Sequence, residues 1–218
     1  MPMKELFYQT VYFRNVMTAL LLAAFFLSVA PRQLFAFSSA DFYRAALSHK
    51  SINAFGAAVH CAHETGNWKS RLWLEGNNGA GIKTNKRWLL LGMPSIETTS
   101  PEDEGGKMVM RRASFRKYRT LDAFLMDYSR KIRDDYPLSC RYYKNVWGYL
   151  DGLYKGRNGK WATDRAYFTK LTAKAVQLAP EIYGPEWKAI LKRQLLNAKG
   201  FRMLSPWQFT VIEERLGI

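Results

Sequence analysis

Apolar positions along the chain change their period several times, and each change marks an element. Residues 16–30 form an apolar run interrupted only by Thr18 and Ser28. Residues 41–47 alternate as a short amphipathic helix, and Ser51 then stands at an N-cap position before Ile52, Phe55, Val59 and Ala62. Those spacings predict a second helix, with Gly66 as its natural stop, so Glu64 falls in or just beyond the last turn. Residues 75–81 are rich in Gly and Asn, a loop in which several backbone positions need positive φ. Residues 87–91 favour a strand. Residues 108–118 partly alternate apolar and basic side chains beyond a turn at 102–106, which predicts a β-hairpin. Residues 121–132 then place Leu121, Phe124, Leu125 and Tyr128 on one helical stripe, and further helices are expected near 143–154, 164–178 and 186–197. No internal repeat and no low-complexity linker interrupts the series. A mainly α chain with one small hairpin is the expectation.

Composition changes this picture at the ends. Lys4 and Arg14 precede the apolar run 16–30, and Pro31 and Arg32 follow it, which is the order of an export signal. The run is shorter than the roughly twenty residues that span a bilayer as a helix. Aromatic flanks at Phe7, Tyr8, Tyr12, Phe13, Phe35 and Phe37 lengthen it, so residues 1–40 read as a signal peptide or an N-terminal membrane anchor, with inner-membrane association in the second case. Small residues at Ser38 and Ala40 make the expected cleavage point. Residues 41–183 form the expected catalytic domain and residues 184–218 a helical extension, in which Leu191, Leu195 and Leu196 are spaced to cover a core.

The formal charge is +15, from 33 basic and 18 acidic residues. Removing residues 1–40 takes away Lys4, Arg14 and Arg32 against Glu5 and leaves +13, so the basic character belongs to the folded part. Such a charge points to a polyanionic partner. Nucleic acid is disfavoured, because no helix-turn-helix, zinc or RNA-binding aromatic pattern accompanies the charge and the N-terminus directs the chain out of the cytoplasm. No cofactor is expected and no metal site, since His49, His60 and His63 lack the paired spacing and cysteine company of a zinc cluster. Cys61 sits on an apolar helix face beside Ala58 and Ala62, where a buried thiol packs better than a disulfide to Cys140 would form.

Glu64 is the candidate for acid chemistry. A carboxyl at a helix C-terminus faces the negative end of the macrodipole, and apolar cover from Trp68 adds desolvation; both raise its pKa. A carboxyl that stays protonated near neutral pH is what the hydrolysis of a glycosidic bond requires.

Four segments extend this reading. The run His63-Glu64-Thr65-Gly66-Asn67-Trp68-Lys69-Ser70-Arg71-Leu72 is followed by Asn77-Asn78-Gly79-Ala80-Gly81-Ile82-Lys83, then Phe115-Arg116-Lys117-Tyr118 with Leu121, Phe124 and Asp127-Tyr128, then Trp161-Ala162-Thr163-Asp164-Arg165-Ala166-Tyr167. In this order they resemble the bacterial glucosaminidases of glycoside hydrolase family 73. The resemblance implies a lysozyme-like α+β fold in which the glutamate helix floors a groove and the hairpin walls it. It implies an exported endo-β-N-acetylglucosaminidase of the periplasm or cell envelope that cuts peptidoglycan glycan strands after N-acetylglucosamine. Glu64 takes the general-acid position. Glu102 aligns with the family's hairpin glutamate, with Glu97 and Glu104 as rivals, and retaining, inverting and substrate-assisted routes all remain open. Trp161 stands where the family has an active-site tyrosine, and an indole cannot supply a phenolic hydroxyl. Trp68, Asn78, Lys83 and Tyr167 are the expected substrate-binding residues. Two other readings stand beside this one: a glycan-binding or scaffold module with weak catalysis, motivated by Trp161, and a lytic transglycosylase, which uses one glutamate in a similar fold.

Overall fold

A computed structural model describes residues 37–218 except 105, 106 and 158, with the backbone alone at 100–104 and 107–108. Residues 1–36 of the expected export segment lie outside the described residues. The folded unit begins at Phe37, ahead of the expected boundary at 41. Helix α1 (Ser39–Ala46) starts with a capping box in which Ser38 Oγ accepts the Asp41 N–H and the Asp41 carboxylate accepts the Ser38 N–H. The expected cleavage point thus falls inside the cap and first turn of a packed helix.

Helix α2 (Ala54–Glu64) starts at Asn53, whose Oδ1 accepts the Gly56 N–H at 2.7 Å. Asn53 rather than Ser51 is the cap, because a cap must precede the first helical residue directly. Every residue from Phe55 to Ala62 is buried. A helix apolar all round belongs in the interior, and α2 is the central rod of the fold. Gly56 allows it to lie close to Tyr149, since a Cβ there would stand 2.5 Å from Tyr149 Cδ1.

After α3 (Arg71–Gly76), the segment expected as a strand at 87–91 proves helical at 87–90, within α4 (Lys86–Leu90), with Leu91 as its C-cap. Asn85 caps this turn by accepting the Trp88 N–H at 2.8 Å, and the segment holds leucines but no β-branched residue. The first strand lies further on. β1 (Ser95–Glu104) pairs antiparallel with β2 (Lys107–Arg116), in a register running from Ser95 opposite Arg116 to Glu104 opposite Lys107. The hairpin is therefore longer on its first side and tighter at its turn than the pattern predicts.

Helix α5 (Leu121–Asp135) buries Phe124, Leu125, Tyr128 and Ile132. A short helix α6 (Pro137–Arg141) that the pattern does not predict comes next, and the expected helix at 143–154 is α7 (Val146–Leu153), which starts later because Asn145 caps it. Helix α8 (Tyr167–Tyr183) follows, and a 3-10 turn at 184–186 leads into α9 (Trp187–Gly200) and α10 (Pro206–Leu216). The C-terminal helices are stitched into the same unit. The Trp147 indole donates to Leu191 O at 3.1 Å, Gln194 Oε1 accepts the Val146 N–H at 2.7 Å, and Gln208 Nε2 donates to Asp151 Oδ1 at 2.6 Å. Leu191 and Leu195 are buried, whereas Leu196 is 62% exposed and covers nothing. Both cysteines are free, with Cys61 buried. Among the described residues no helix is long and apolar enough to cross a membrane.

Candidate active site

Glu64 is the last residue of α2, and the chain turns away at once. Thr65 Oγ1 donates to Cys61 O at 2.7 Å and accepts the Trp68 N–H at 2.9 Å, while Gly66, Asn67 and Trp68 all take left-handed backbone angles. Such angles are costly for side-chain-bearing residues and persist where the surroundings over-determine them. Trp68 supplies that constraint: it is buried, stacks on Phe42 at 4.9 Å and donates its indole N–H to Ser39 Oγ at 3.0 Å. Trp68 therefore holds the turn that ends α2, and its ring lies in the core with no face left for a sugar.

The Tyr167 hydroxyl, at the start of α8, donates to Glu64 Oε1 at 2.5 Å. The Glu64 side chain is 24% exposed. Burial pushes its carboxyl above the usual range, and the Tyr167 hydrogen bond opposes that rise without cancelling it. One turn earlier on the same helix, His60 Nε2 stands 3.6 Å from Glu64 Oε1. The spacing suits an ion pair, but burial pushes the imidazole down to about 3, so His60 faces the acid as a neutral ring. His60 Nδ1 lies 2.7 Å from the Tyr128 hydroxyl, which lies 2.9 Å from the Tyr149 hydroxyl.

Trp161 stands perpendicular to the His60 ring, with the ring centres 4.4 Å apart, and packs on Tyr136 at 5.0 Å. It is half-buried, with Lys131 Nζ 5.5 Å from its ring. Lys131 also lines an open cleft of about 630 Å³, together with Lys83, Trp88, Leu91, Met93 and Arg116. Glu64 is not in the walls of that cleft; Trp161 and Lys131 connect the two regions. Arg116 is fixed there by Asp127 at 2.7 Å, and its guanidinium lies 4.9 Å over Trp88.

The remaining expected site residues divide. Lys83 lines the cleft, and its backbone bridges to Phe115. Asn78 is fully buried: its Nδ2 donates to Ile82 O and Arg116 O, and its Oδ1 accepts the Ile82 N–H. All of its polar atoms are spent on pinning the loop to β2, so it is a structural residue and not a substrate ligand. Glu97 is exposed opposite Ser114, Glu102 lies opposite Val109 and Glu104 closes the hairpin opposite Lys107. Sequence reasoning missed His60, Tyr128, Tyr149 and Lys131. The available signal for His60 was its position four residues before Glu64, one helical turn away on the same face.

A partly buried carboxyl with a raised pKa, beside an open cleft with an aromatic wall, suits proton delivery to a glycosidic oxygen. The sequence pattern of the mannosyl-glycoprotein endo-beta-N-acetylglucosaminidase family matches residues 40–179. The chain belongs to that family and is a glycoside hydrolase. Its fold is similar to that of the catalytic domain of the autolysin Auto from Listeria monocytogenes, with 20% identity and a TM-score of 0.52 over 68% of this chain and 84% of that one. It is also similar to a Staphylococcus aureus N-acetylmuramoyl-L-alanine amidase, with 21% identity and a TM-score of 0.51 over 68% of this chain and 41% of that one. A peptidoglycan hydrolase mutant from Sphingomonas sp. A1 aligns at 21% identity and a TM-score of 0.49, covering 73% of this chain and 96% of that one. No curated protein matches the chain. The fold is the expected mainly α, lysozyme-like arrangement with a small antiparallel hairpin.

Proposed function

We propose that this glycoside hydrolase is a peptidoglycan hydrolase of the cell envelope, an endo-β-N-acetylglucosaminidase that cuts the glycan strand after N-acetylglucosamine with Glu64 as general acid. The observation that carries the reading is the Glu64 carboxyl itself, raised by burial at the end of α2 and held on one oxygen by Tyr167. A protonated acid at working pH can donate to the leaving oxygen. Glu102 is the hairpin carboxylate proposed to assist, with Glu97 and Glu104 as its rivals. Lys83, in the cleft wall, is proposed to meet the carboxylates of the wall peptides, and Trp161 to meet a sugar face. The charge of +15 favours the anionic wall as the surface on which the enzyme works.

The test is release of reducing ends from purified peptidoglycan, with the products identified by mass spectrometry. Reducing N-acetylglucosamine ends are expected, and Glu64→Gln is expected to lose about 10²–10⁴-fold in kcat, the usual worth of a general acid. Equal rates in wild type and Glu64→Gln would sink the acid assignment. Anhydromuramic ends would instead identify a lytic transglycosylase. A second reading, glycan binding with weak catalysis, draws on Trp161, whose ring lies against His60 and offers no hydroxyl. Strong cleavage by the wild-type protein would eliminate it.

A further inference from the structure

Behind the acid lies an unexplained polar atom. Among the described residues His60 Nε2 is buried without a hydrogen-bond partner, on a ring that is fully inaccessible. Unpaired buried nitrogens are rare and costly, so a retained one calls for a physical reason. Two observations bear on it. The nitrogen stands 3.6 Å from Glu64 Oε1, and the opposite ring nitrogen is tied into a chain of two buried tyrosine hydroxyls.

That chain determines where the imidazole proton sits. If Tyr149 donates to Tyr128 and Tyr128 donates to His60 Nδ1, every hydroxyl hydrogen is used and the ring proton is left on Nε2. In the reverse order the Tyr149 hydrogen has no acceptor in the chain, and the Nε2 lone pair is set against the lone pairs of Glu64 Oε1. The first order is the favourable one. It aims an N–H at the acid, a few tenths of an ångström beyond hydrogen-bond reach, and such contacts commonly tighten when substrate binds.

We propose that His60 is a positioning residue for the acid: held as the Nε2–H tautomer by Tyr128 and Tyr149, it joins Tyr167 in donating to Glu64 Oε1 and so keeps the transferable proton on Oε2. The proposal rests on the reading of Glu64 as general acid. An oxygen that accepts two donors is a poor seat for the proton, and among the described residues Oε2 makes no hydrogen bond. Once Oε2 has given its proton to the leaving group, the same two donors stabilise the carboxylate that forms. His60 contributes a dipole and no charge, because burial keeps it neutral, and Trp161 packs against its ring. The other groups that face Glu64 are Cys61 on α2, Tyr167 on α8 and Tyr136 between α5 and α6, with His63 packed on Tyr167 and Lys131 lying over Tyr136.

The test is a carboxyl ¹³C NMR titration of Glu64 in the full chain, its signal identified by its loss in Glu64→Gln, run alongside the pH profile of kcat. His60→Met is expected to raise the Glu64 pKa by about one unit, a tenfold change in dissociation constant. The alkaline limb of the kcat profile should move with it. His60→Gln, which keeps an N–H donor, is expected to restore at least half of that shift. Tyr128→Phe, which frees the tautomer, is expected to shift the pKa in the same direction as His60→Met. An unchanged Glu64 pKa in both His60→Met and Tyr128→Phe overturns the proposal, and if His60→Met does not fold, Tyr128→Phe decides it alone. Failure of the underlying reading shows separately, as full activity in Glu64→Gln while the NMR shifts persist.

Discussion

At the scale of single residues, Glu64 is set by two opposed influences, burial that favours the protonated form and the Tyr167 hydroxyl that favours the carboxylate. Removing the hydroxyl leaves burial unopposed. Tyr167→Phe is therefore expected to raise the Glu64 pKa and to carry the alkaline limb of the pH–rate profile upward; a limb that stays in place or moves down would contradict this. His60 makes a second, independent prediction about stability. Its ordinary value of 6.5 falls to about 3 in the folded chain, so between these values the unfolded state binds more protons than the folded one. The stability it contributes is fully present above pH 6.5 and is lost as the pH falls towards 3, by up to about 1.4 kcal/mol per pH unit. His63, lowered by partial burial, acts in the same sense. Glu64, raised, acts in the opposite sense: its contribution is present below its ordinary 4.5 and is lost as the pH rises through its folded value. Urea unfolding between pH 7 and pH 5 should accordingly lose stability more steeply in wild type than in His60→Gln.

Between elements, the decisive joints are polar. The loop after α3 is fastened to β2 by Asn78, which satisfies Ile82 N–H, Ile82 O and Arg116 O from one side chain. Removing that side chain takes away the acceptor of the buried Ile82 N–H, at about 1–3 kcal/mol, while Ile82 O keeps the Arg116 N–H at 2.9 Å. Asn78→Ala is expected to lower the melting temperature and to loosen Lys83 and the hairpin together, read as faster amide exchange at Ile82 and Arg116. Unchanged exchange there would mean that the loop is held by other contacts. The end of α2 is a joint of the same kind. Thr65, Trp68 and Ser39 lock a turn that local preference alone disfavours, which is why Trp68 belongs to the scaffold even though its place next to Glu64 suggested a sugar platform.

Across the whole molecule, the C-terminal helices complete the unit that carries the acid. α9 and α10 supply partners to Trp147, Val146 and Asp151 on α7, whose residue Tyr149 ends the hydroxyl chain behind His60. Ending the chain after Tyr183 would leave the Trp147 indole and the Val146 amide without their partners Leu191 and Gln194. The shortened protein is expected to aggregate or to melt well below the full chain; a soluble, equally stable product would show that the extension is dispensable. Much of this arrangement was legible beforehand. The 3.6-residue spacing of Phe55, Val59 and Ala62, the Gly66 stop and the four ordered motifs determined the helices, the hairpin and the place of Glu64 at a helix end, because these are local properties of the chain. The short segments depart from the pattern where propensity and capping compete, as at Asn85, and where a cap sets a later start, as at Asn145. Which polar residues face the acid and which are spent in the interior is a matter of contacts between residues as far apart in sequence as Glu64 and Tyr167, or His60 and Tyr128. Sequence alone determined most of the elements and the place of Glu64 at a helix end. Only tertiary packing decided its partners, because burial and hydrogen-bond geometry arise when distant helices meet and leave no trace in any one of them.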